Sequence, residues 1–288
     1  MGLAAEVNLA VVPPGPVGMP QPRHPLVESL RPGLEKTGFA VVADAVDPSL
    51  LSRMTGEVRR QLGRSHFDPP FGDRPFYGEH ILRAWDLAGK TPSLLEFLAT
   101  PVVDAINQLV LGDYCDHALL ASATAHETHR QVGAKSQPYH RDEEIYPAYL
   151  PRLPMGPEYT FTMMVAATDF TADNGGTLLI PGSHLWPRGH LPTPADKPVA
   201  LTMKKGSVAF WLGSTYHGAG VNITDEPRLG IIFSFCAGWL RTLENQFMLL
   251  DAKAVAGLPA NVQRLLGWEP HGVLGQHDWR SPRATLEA

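Results

Sequence analysis

The chain has 288 residues, of which 44% are hydrophobic and 18% are charged, and its formal net charge is −5. The charged residues form no basic stripe, so a nucleic-acid partner is not expected. Prolines interrupt the apolar N-terminal segment, and we predict neither a signal peptide nor a membrane span. Cys115 and Cys236 lie among apolar neighbours without metal-binding spacing, which indicates free thiols. These features predict a cytoplasmic protein.

The first part of the chain is expected to be helical. Residues 1–24 form an extended, proline-rich lead. Apolar residues at helical spacing then predict helical regions over 25–36, 47–62 and about 92–111. In the second of these, Asp47 is the expected N-cap and Pro48 opens the first turn. Between the first two helices, Phe39–Val42 reads as a short strand.

After Gly112 the composition changes to that of a β-protein. Short runs rich in Thr, Val, Ile, Phe and Tyr alternate with Gly and Pro turns, which is typical of a sandwich or barrel. The predicted strands lie near 118–128, 137–142, 159–169, 177–180, 198–203, 207–212 and 228–237. Residues 244–266 are expected to be helical or irregular. We predict one α+β, mainly β domain over 25–288, a jelly roll buttressed by N-terminal helices.

The segment Gln137–Glu144 carries the clearest chemical signal, because it contains His140 and Asp142. Alternate side chains of an extended segment point to the same face, so the imidazole and the carboxylate are expected side by side. They would supply two ligands of a 2-His-1-carboxylate site, which marks non-haem Fe(II) oxygenases. His217, after the apolar run Val208–Leu212, is the candidate for the second histidine. A lone His-x-Asp pair is a weak signal, and a charged strand end is the alternative.

Arg228 stands at the head of the apolar run Leu229–Phe235. An arginine that points inward there is costly unless an anion faces it. A guanidinium suits one carboxylate of a dicarboxylate cosubstrate, and Gly230, on the same face of the strand, leaves room for it. A surface salt bridge with Asp225 or Glu226 is the alternative, and Arg228 taken alone favours that alternative.

Several segments together resemble one known family. They are Gln137-x-x-His140-x-Asp142, the run Gly175–His184, His217, and Arg228 eleven positions later. This combination resembles the phytanoyl-CoA hydroxylase (PhyH) family of Fe(II)/2-oxoglutarate-dependent dioxygenases. The phrases Leu212–Gly218 and Glu244–Gln246 look closer to its natural-product branch, which includes the fungal verruculogen endoperoxide synthase. The resemblance covers about residues 30–250.

The resemblance implies a double-stranded β-helix, the jelly roll of cupin-like proteins. It also implies Fe(II) as cofactor, 2-oxoglutarate as cosubstrate and O₂ as oxidant. The implied metal ligands and catalytic residues are His140, Asp142 and His217. Arg228 is implied as the partner of the distal carboxylate of 2-oxoglutarate. Gln137 and Thr177 match positions that contact the cosubstrate in the natural-product branch.

Three other histidines are interpreted as structural. His184 follows a Pro-Gly-Ser turn, and in the resembled family this histidine is mainly structural. His126 and His129 are three residues apart, but they lack the His-Glu-x-x-His register of a metal-binding helix. In a strand, residues at this spacing face opposite ways, so a shared metal is not expected.

The predicted activity is the oxidation of a C–H bond of a bulky, apolar small molecule in natural-product biosynthesis. The outcome is left open between hydroxylation, desaturation and ring formation. Halogenation is disfavoured, because Asp142 occupies the position that a halide would need. The loops 66–90 and 143–158 are rich in aromatic and apolar residues and are expected to line the substrate site. Analogy with the family suggests a homodimer.

Three alternatives stay open. An acyl-CoA or lipid hydroxylase of the same family would need basic residues for the CoA phosphates, and the candidates are Arg59, Arg60, Arg64, Arg74 and Arg83. A Zn(II) hydrolase could use the same three ligands, but it would give Arg228 and Gln137 no role. A catalytically silent jelly-roll binding module would not need to keep the three ligands and the arginine.

Overall fold

The computed structural model describes residues 25–63, 81–130, 133, 135–146 and 156–286. The helices are α1 (Pro25–Thr37), α2 (Pro48–Arg59), α3 (Pro92–Leu98), α4 (Pro101–Leu111), α5 (Gln246–Leu249), α6 (Ala252–Ala256) and α7 (Ala260–Leu265). The strands are β1 (Phe39–Val42), β2 (Ile81–Ala84), β3 (Ala118–Thr128), β4 (Thr160–Ala166), β5 (Thr177–Leu179), β6 (Val199–Ala200), β7 (Val208–Leu212), β8 (His217–Ala219) and β9 (Arg228–Ala237).

Local sequence signals set the helix boundaries. The carboxylate of Asp47 accepts hydrogen bonds from the backbone N–H groups of Ser49 and Leu50, at 2.9 and 3.1 Å, which is the predicted N-cap of α2. The single helical region expected over 92–111 is instead two helices, α3 and α4. Pro101 begins the second helix, because its ring prevents the first helix from continuing through it.

The strands form two antiparallel sheets that face each other. The larger sheet has the order β1-β7-β4-β9-β3-β2, and the smaller has the order β6-β5-β8. One face of the larger sheet packs on the helices and carries Phe161, Phe210 and Phe233. The other face carries Met164 and Trp211 and packs towards the smaller sheet. This alternation produces the predicted jelly roll supported by N-terminal helices.

Near the proposed metal ligands, one predicted strand is absent and one observed strand was not predicted. Residues 137–142 form no continuous strand: His140 makes an isolated bridge with His217, and Asp142 opens a 3₁₀ turn over Asp142–Ile145. Pro138 lacks the N–H group that a ladder needs, which limits pairing in this segment. Conversely, β8 contains His217 itself and was not predicted, because a strand of three residues leaves no readable alternation.

Some predicted features lie outside the described residues. They are the lead 1–24 and the parts of the proposed substrate loops at 66–80 and 147–155. The assignment of 25–288 to one domain therefore stays a prediction. In the part of the chain that the structure describes, no single helix is long and apolar enough to cross a membrane. Helices α3 and α4 pass that test only as a pair, bent by 59°.

Glu244 fastens the segment after β9 to the main sheet. Its two carboxylate oxygens accept hydrogen bonds from the N–H groups of Asp86 and Ala123, at 2.9 and 2.8 Å. Burial raises the pKa of this carboxyl from its ordinary 4.5 to about 7, against the lowering effect of those hydrogen bonds. Between these two values the folded chain therefore holds a proton that the unfolded chain has released.

We expect this carboxyl to make stability fall as pH rises. The contribution of Glu244 is fully present below pH 4.5 and is lost through pH 7, with an amplitude of about 3 kcal/mol. Urea unfolding at pH 5 and pH 8, for the native chain and for Glu244→Gln, measures it. The substitution should flatten this part of the pH dependence, whatever it does to absolute stability. An unchanged slope would contradict the assignment.

Candidate metal centre

His140 and His217 form a cross-strand pair. The backbone N–H of each donates to the carbonyl of the other, at 3.0 Å in both directions. Gly218, the next residue of β8, permits this close approach, because a Cβ there would lie 2.7 Å from the carbonyl oxygen of Gln137. The two imidazole centroids are consequently 4.4 Å apart. The fold thus brings together two histidines that are separated by 76 residues of sequence.

Backbone carbonyls orient both imidazoles. Nδ1 of His140 donates to the carbonyl of Pro138, and Nδ1 of His217 donates to the carbonyl of Thr215, each at 3.1 Å. This leaves Nε2 of each ring as the unprotonated ligand atom. Burial lowers the pKa of His217 to about 4, although Asp142 opposes the shift. His217 is therefore neutral near pH 7, as a metal ligand must be.

Asp142 completes the group. Its Oδ1 lies 3.6 Å from Nε2 of His217 and 3.9 Å from Nε2 of His140. Among the described residues, these three side chains form the one cluster of at least three potential ligand atoms within 4.8 Å of one another. With metal–ligand bonds of about 2 Å, a single ion can sit between them. Two imidazoles and one carboxylate are the donor set of non-haem iron sites, so the residues fit the metal.

A hydrogen bond from a neighbouring strand positions Asp142. Thr162 on β4 donates from Oγ1 to Oδ2 of Asp142 at 2.6 Å, which leaves Oδ1 to face the histidines. Burial would raise the pKa of Asp142, but His217, His140 and hydrogen bonds that include Thr162 hold it below its ordinary value. The carboxylate is therefore charged when the site is assembled.

We expect Thr162→Val to lower iron affinity about 10- to 100-fold without loss of the fold, since outer partners of this kind orient metal ligands. Thr160→Val is the matched control: Thr160 is also a buried threonine of β4, but its hydroxyl has no hydrogen-bond partner in the part of the chain that the structure describes. Titration with Fe(II) under anaerobic conditions measures both variants. Equal iron affinities in the two variants would show that the Thr162 hydroxyl does not position Asp142.

Arg141 lies between two of the proposed ligands, and its side chain points away from them. Its guanidinium donates to the carbonyl of Ser183 at 2.8 Å and stacks on the ring of Tyr216 at 4.3 Å. These contacts connect the segment with the proposed ligands to the turn after β5. Neither Thr162 nor Arg141 was predicted from the sequence to support the site. Two features of the sequence could have pointed to them: Thr162 is a threonine within the apolar strand β4, and Arg141 is a charged residue between two proposed ligands.

Arg228 is buried, with only 2% of its surface exposed. Its Nη2 donates to Oγ1 of Thr128 at 3.0 Å and to the carbonyl of Gly175 at 2.6 Å, and the guanidinium lies over Phe170. The structure records no ion pair for it among the described residues, and its buried Nε has no partner. Burial lowers its pKa to about 10, so the group is still charged at pH 7.

The surface salt bridge with Asp225 or Glu226 that was considered for Arg228 is wrong: the arginine is buried, Asp225 pairs with Arg130 instead, and no pair with Glu226 is present among the described residues. The guanidinium extends back over Gly230, where a Cβ would lie 3.3 Å from Nη1. Glycine at this position therefore leaves space for the arginine head on the inner face of the sheet.

Gln137 and Thr177 lie on either side of Ala219. The side-chain oxygen of Gln137 accepts from the N–H of Ala219 at 3.0 Å, which leaves its NH₂ group to donate elsewhere. Thr177 is the cross-strand partner of Ala219 and is buried, with Oγ1 3.9 Å from the sulfur of Met164. Thr177 is thus two positions from Leu179, the strand partner of His217, and Gln137 is three positions before His140.

The other histidines lie apart from this cluster. Nε2 of His184 donates to the carbonyl of Glu35 at 3.0 Å, so this ring connects the turn after β5 to α1. His129 lies 3.1 Å from the carboxylate of Glu127. His126 lies on β3 and contacts Trp85 edge-on, with 6.3 Å between ring centroids.

A small cavity of about 60 Å³ opens beside Asp142. Its apolar wall consists of Ala121, Ile145, Tyr146, Phe161, Phe235 and Leu243. Leu243 also borders a second cavity of about 310 Å³, which lies against the segment 240–247. The smaller cavity therefore places mainly apolar side chains beside one proposed ligand.

Residues 34–230 match the family described as phytanoyl-CoA dioxygenase (PhyH). The chain belongs to this family. Dioxygenase trt7 of Aspergillus terreus is 30% identical over 249 residues, which cover 85% of this chain and 86% of that protein. Dioxygenase andF of Emericella variicolor is 28% identical and covers 91% and 92%, respectively.

A solved structure supports the fold. The non-haem alpha-ketoglutarate-dependent epimerase SnoN from nogalamycin biosynthesis superposes with a TM-score of 0.59 at 21% identity, covering 74% of this chain and 81% of that chain. Family membership and the relatives named as dioxygenases confirm the predicted enzyme class, an Fe(II)/2-oxoglutarate-dependent dioxygenase. The cofactors of this PhyH enzyme are Fe(II), 2-oxoglutarate and O₂.

Proposed function

We propose that this PhyH dioxygenase oxidises a C–H bond of a bulky, apolar small molecule in natural-product biosynthesis. The observation that carries the proposal is the convergence of three potential metal-ligand atoms beside an apolar cavity, together with a buried guanidinium that has no ion pair among the described residues. The related fungal dioxygenases and the nogalamycin enzyme support the natural-product assignment.

In this proposal each residue has a defined task. His140, Asp142 and His217 hold the iron, which when bound supplies the activation of O₂ that is coupled to decarboxylation of 2-oxoglutarate. Because these three residues would be the protein ligands, the chain would leave the metal open to further groups. Arg228 holds the distal carboxylate of 2-oxoglutarate through a charge-assisted pair in a low-dielectric setting.

Gln137 and Thr177 flank the cosubstrate in this arrangement. The NH₂ group of Gln137 and the hydroxyl of Thr177 are donors placed near the edge of β8. Fixed donors around a bound anion limit its motion, which favours one reactive orientation. The apolar wall beside Asp142 excludes water and places the substrate near the metal.

An acyl-CoA substrate receives less support. Arg83 is 9% exposed and lies opposite His126 within the sheet, and Arg59 lies 3.6 Å from the carboxylate of Glu127. These two residues therefore do not join in an exposed phosphate-binding cluster, and Arg64 and Arg74 lie outside the described residues. A cytoplasmic location and a homodimer remain predictions.

Oxygen consumption and succinate formation test the proposal. The protein with Fe(II), 2-oxoglutarate and O₂ should form succinate slowly, and a polycyclic terpenoid or alkaloid from a test panel should accelerate this reaction and be oxidised. Phytanoyl-CoA is the comparison substrate and should have no effect. Acceleration by phytanoyl-CoA alone would replace the natural-product assignment with the acyl-CoA alternative. Absence of succinate under all conditions would contradict the proposed chemistry.

A further inference from the structure

His126 lies beside the buried guanidinium. On β3 its cross-strand partners are Arg83 on one side and Gly230 on the other. Directly opposed residues of antiparallel strands point to the same face, so the imidazole shares a face with Arg83. Thr128, two residues along the same strand, pairs with Arg228 and accepts a hydrogen bond from its guanidinium. His126 is therefore on the inner face of the sheet.

The glycine opposite His126 brings the two groups together. Gly230 has no side chain, and the guanidinium of Arg228 occupies the space above it. A diagonal neighbour in an antiparallel sheet is about 7–8 Å away between backbones. Here Nη1 of Arg228 lies 3.3 Å from the position that a Cβ would take on Gly230, the residue opposite His126. Among the described residues, this part of the inner face carries two guanidiniums and one imidazole at neighbouring register positions.

His126 has an unused hydrogen-bonding atom in this position. Its Nε2 is buried and has no hydrogen-bond partner among the described residues. Burial, with further contributions from Arg83 and Arg228, holds the pKa of His126 well below its ordinary value. The ring is therefore neutral near pH 7 and carries one N–H group, which can be placed on Nε2. A buried donor without an acceptor is costly, so an incoming acceptor at this point gains binding energy.

We propose that His126 donates a hydrogen bond from Nε2 to the distal carboxylate of 2-oxoglutarate, and so makes the site selective for a dicarboxylate over a simple 2-oxo acid. This inference rests on the proposed function and adds a cosubstrate-binding residue to it. A carboxylate presents two oxygens. Arg228 takes one, and the imidazole on the neighbouring strand takes the other.

The polar ladder of β3 supports this placement. Four polar residues follow one another on the inner face of this strand: Ser122, Thr124, His126 and Thr128. Ser122 is the cross-strand partner of Ser234. The hydroxyl of Ser234 lies 3.4 Å from that of Thr162, which donates a hydrogen bond to Asp142. The ladder therefore runs from the metal end of the sheet to Arg228. A dicarboxylate bound to the metal at one end lies along it, with His126 near its far end.

The test is an anaerobic titration of the Fe(II)-loaded protein with 2-oxoglutarate and, separately, with 2-oxopentanoate, which lacks the distal carboxylate. The weak visible charge-transfer band of the chelate reports binding of either compound. For His126→Leu we expect at least a 10-fold higher Kd for 2-oxoglutarate and an unchanged Kd for 2-oxopentanoate. His126→Gln, which keeps an N–H donor, should recover most of the affinity. His129→Leu, a nearby histidine outside the ladder, should match the native chain.

Each result decides the matter. Equal weakening of both 2-oxo acids in His126→Leu would mean a structural role, and an unchanged Kd for 2-oxoglutarate would also overturn the proposal. If His126→Leu does not fold, a His126→Gln variant that loses 2-oxoglutarate and 2-oxopentanoate affinity equally overturns it. A native chain that gives no band with 2-oxoglutarate would contradict the proposed function itself, and the inference with it. A native band with unaltered variants removes the inference alone.

Discussion

Asp142→Ala is expected to abolish turnover while the chain stays folded. Asp142 supplies the one carboxylate of the three-residue cluster, and its Oδ1 faces both histidine Nε2 atoms. Without it the ion has two imidazole ligands only. The loss of activity should exceed the roughly 10- to 100-fold effect of removing an outer partner. Succinate formation and iron content per chain measure the effect, and circular dichroism reports the fold.

The control for this substitution is Glu144→Gln. Glu144 is an exposed acidic residue two positions further along, in the same 3₁₀ turn. The substitution Glu144→Gln removes the same formal charge from the segment but leaves the three clustered side chains unchanged, so activity and iron content should stay at the native level. Full activity in Asp142→Ala would remove this residue from the metal centre, and equal losses in both variants would indicate a general effect of charge on the segment.

Arg228→Gln is expected to raise the 2-oxoglutarate requirement about 100-fold, which corresponds to about 3 kcal/mol. The guanidinium is buried and has no ion pair in the described part of the chain, so a bound carboxylate would meet an almost fully desolvated charge. Glutamine keeps a donor but loses the charge. The iron requirement should stay the same, because Arg228 lies away from the three ligand atoms. The dependence of succinate formation on 2-oxoglutarate and on Fe(II) separates the two effects.

Arg130→Gln is the matched control for this arginine. Arg130 is half exposed, and it pairs with Asp225, which is three residues before Arg228 in the sequence. An exposed pair of this kind contributes little, so both requirements should remain native. If Arg228→Gln raised the iron and 2-oxoglutarate requirements by equal factors, Arg228 would be a structural residue and the dicarboxylate clamp would be wrong.

The fold was predictable from the sequence where a strand is long. Strands β3 and β9 have ten or more residues, and the sequence placed both with their observed bounds. The break between α3 and α4 was missed, although Pro101 marks it. Strand β8 has three residues, and its pairing depends on a distant segment, His140 with His217. Such short strands are fixed by tertiary contacts that no local pattern encodes.

The pairing of His140 with Asp142 in the candidate site was predictable, because it depends only on the local backbone. His140 and Asp142 point to the same side because Arg141 between them is extended, with φ −115° and ψ 132°, although no strand forms there. The burial of Arg228 could not be decided from the sequence, because its inward direction depends on the space over Gly230. The role of Thr162 depends on the approach of two separate segments, which sequence spacing does not reveal.

The most direct test of the metal centre is a crystal structure of the chain with 2-oxoglutarate and Fe(II), or Mn(II) in its place, prepared without oxygen. The metal should be bound by Nε2 of His140, Nε2 of His217 and Oδ1 of Asp142, and the distal carboxylate should contact Arg228. A metal bound elsewhere in the chain, or a cosubstrate whose distal carboxylate points away from Arg228, would contradict the account.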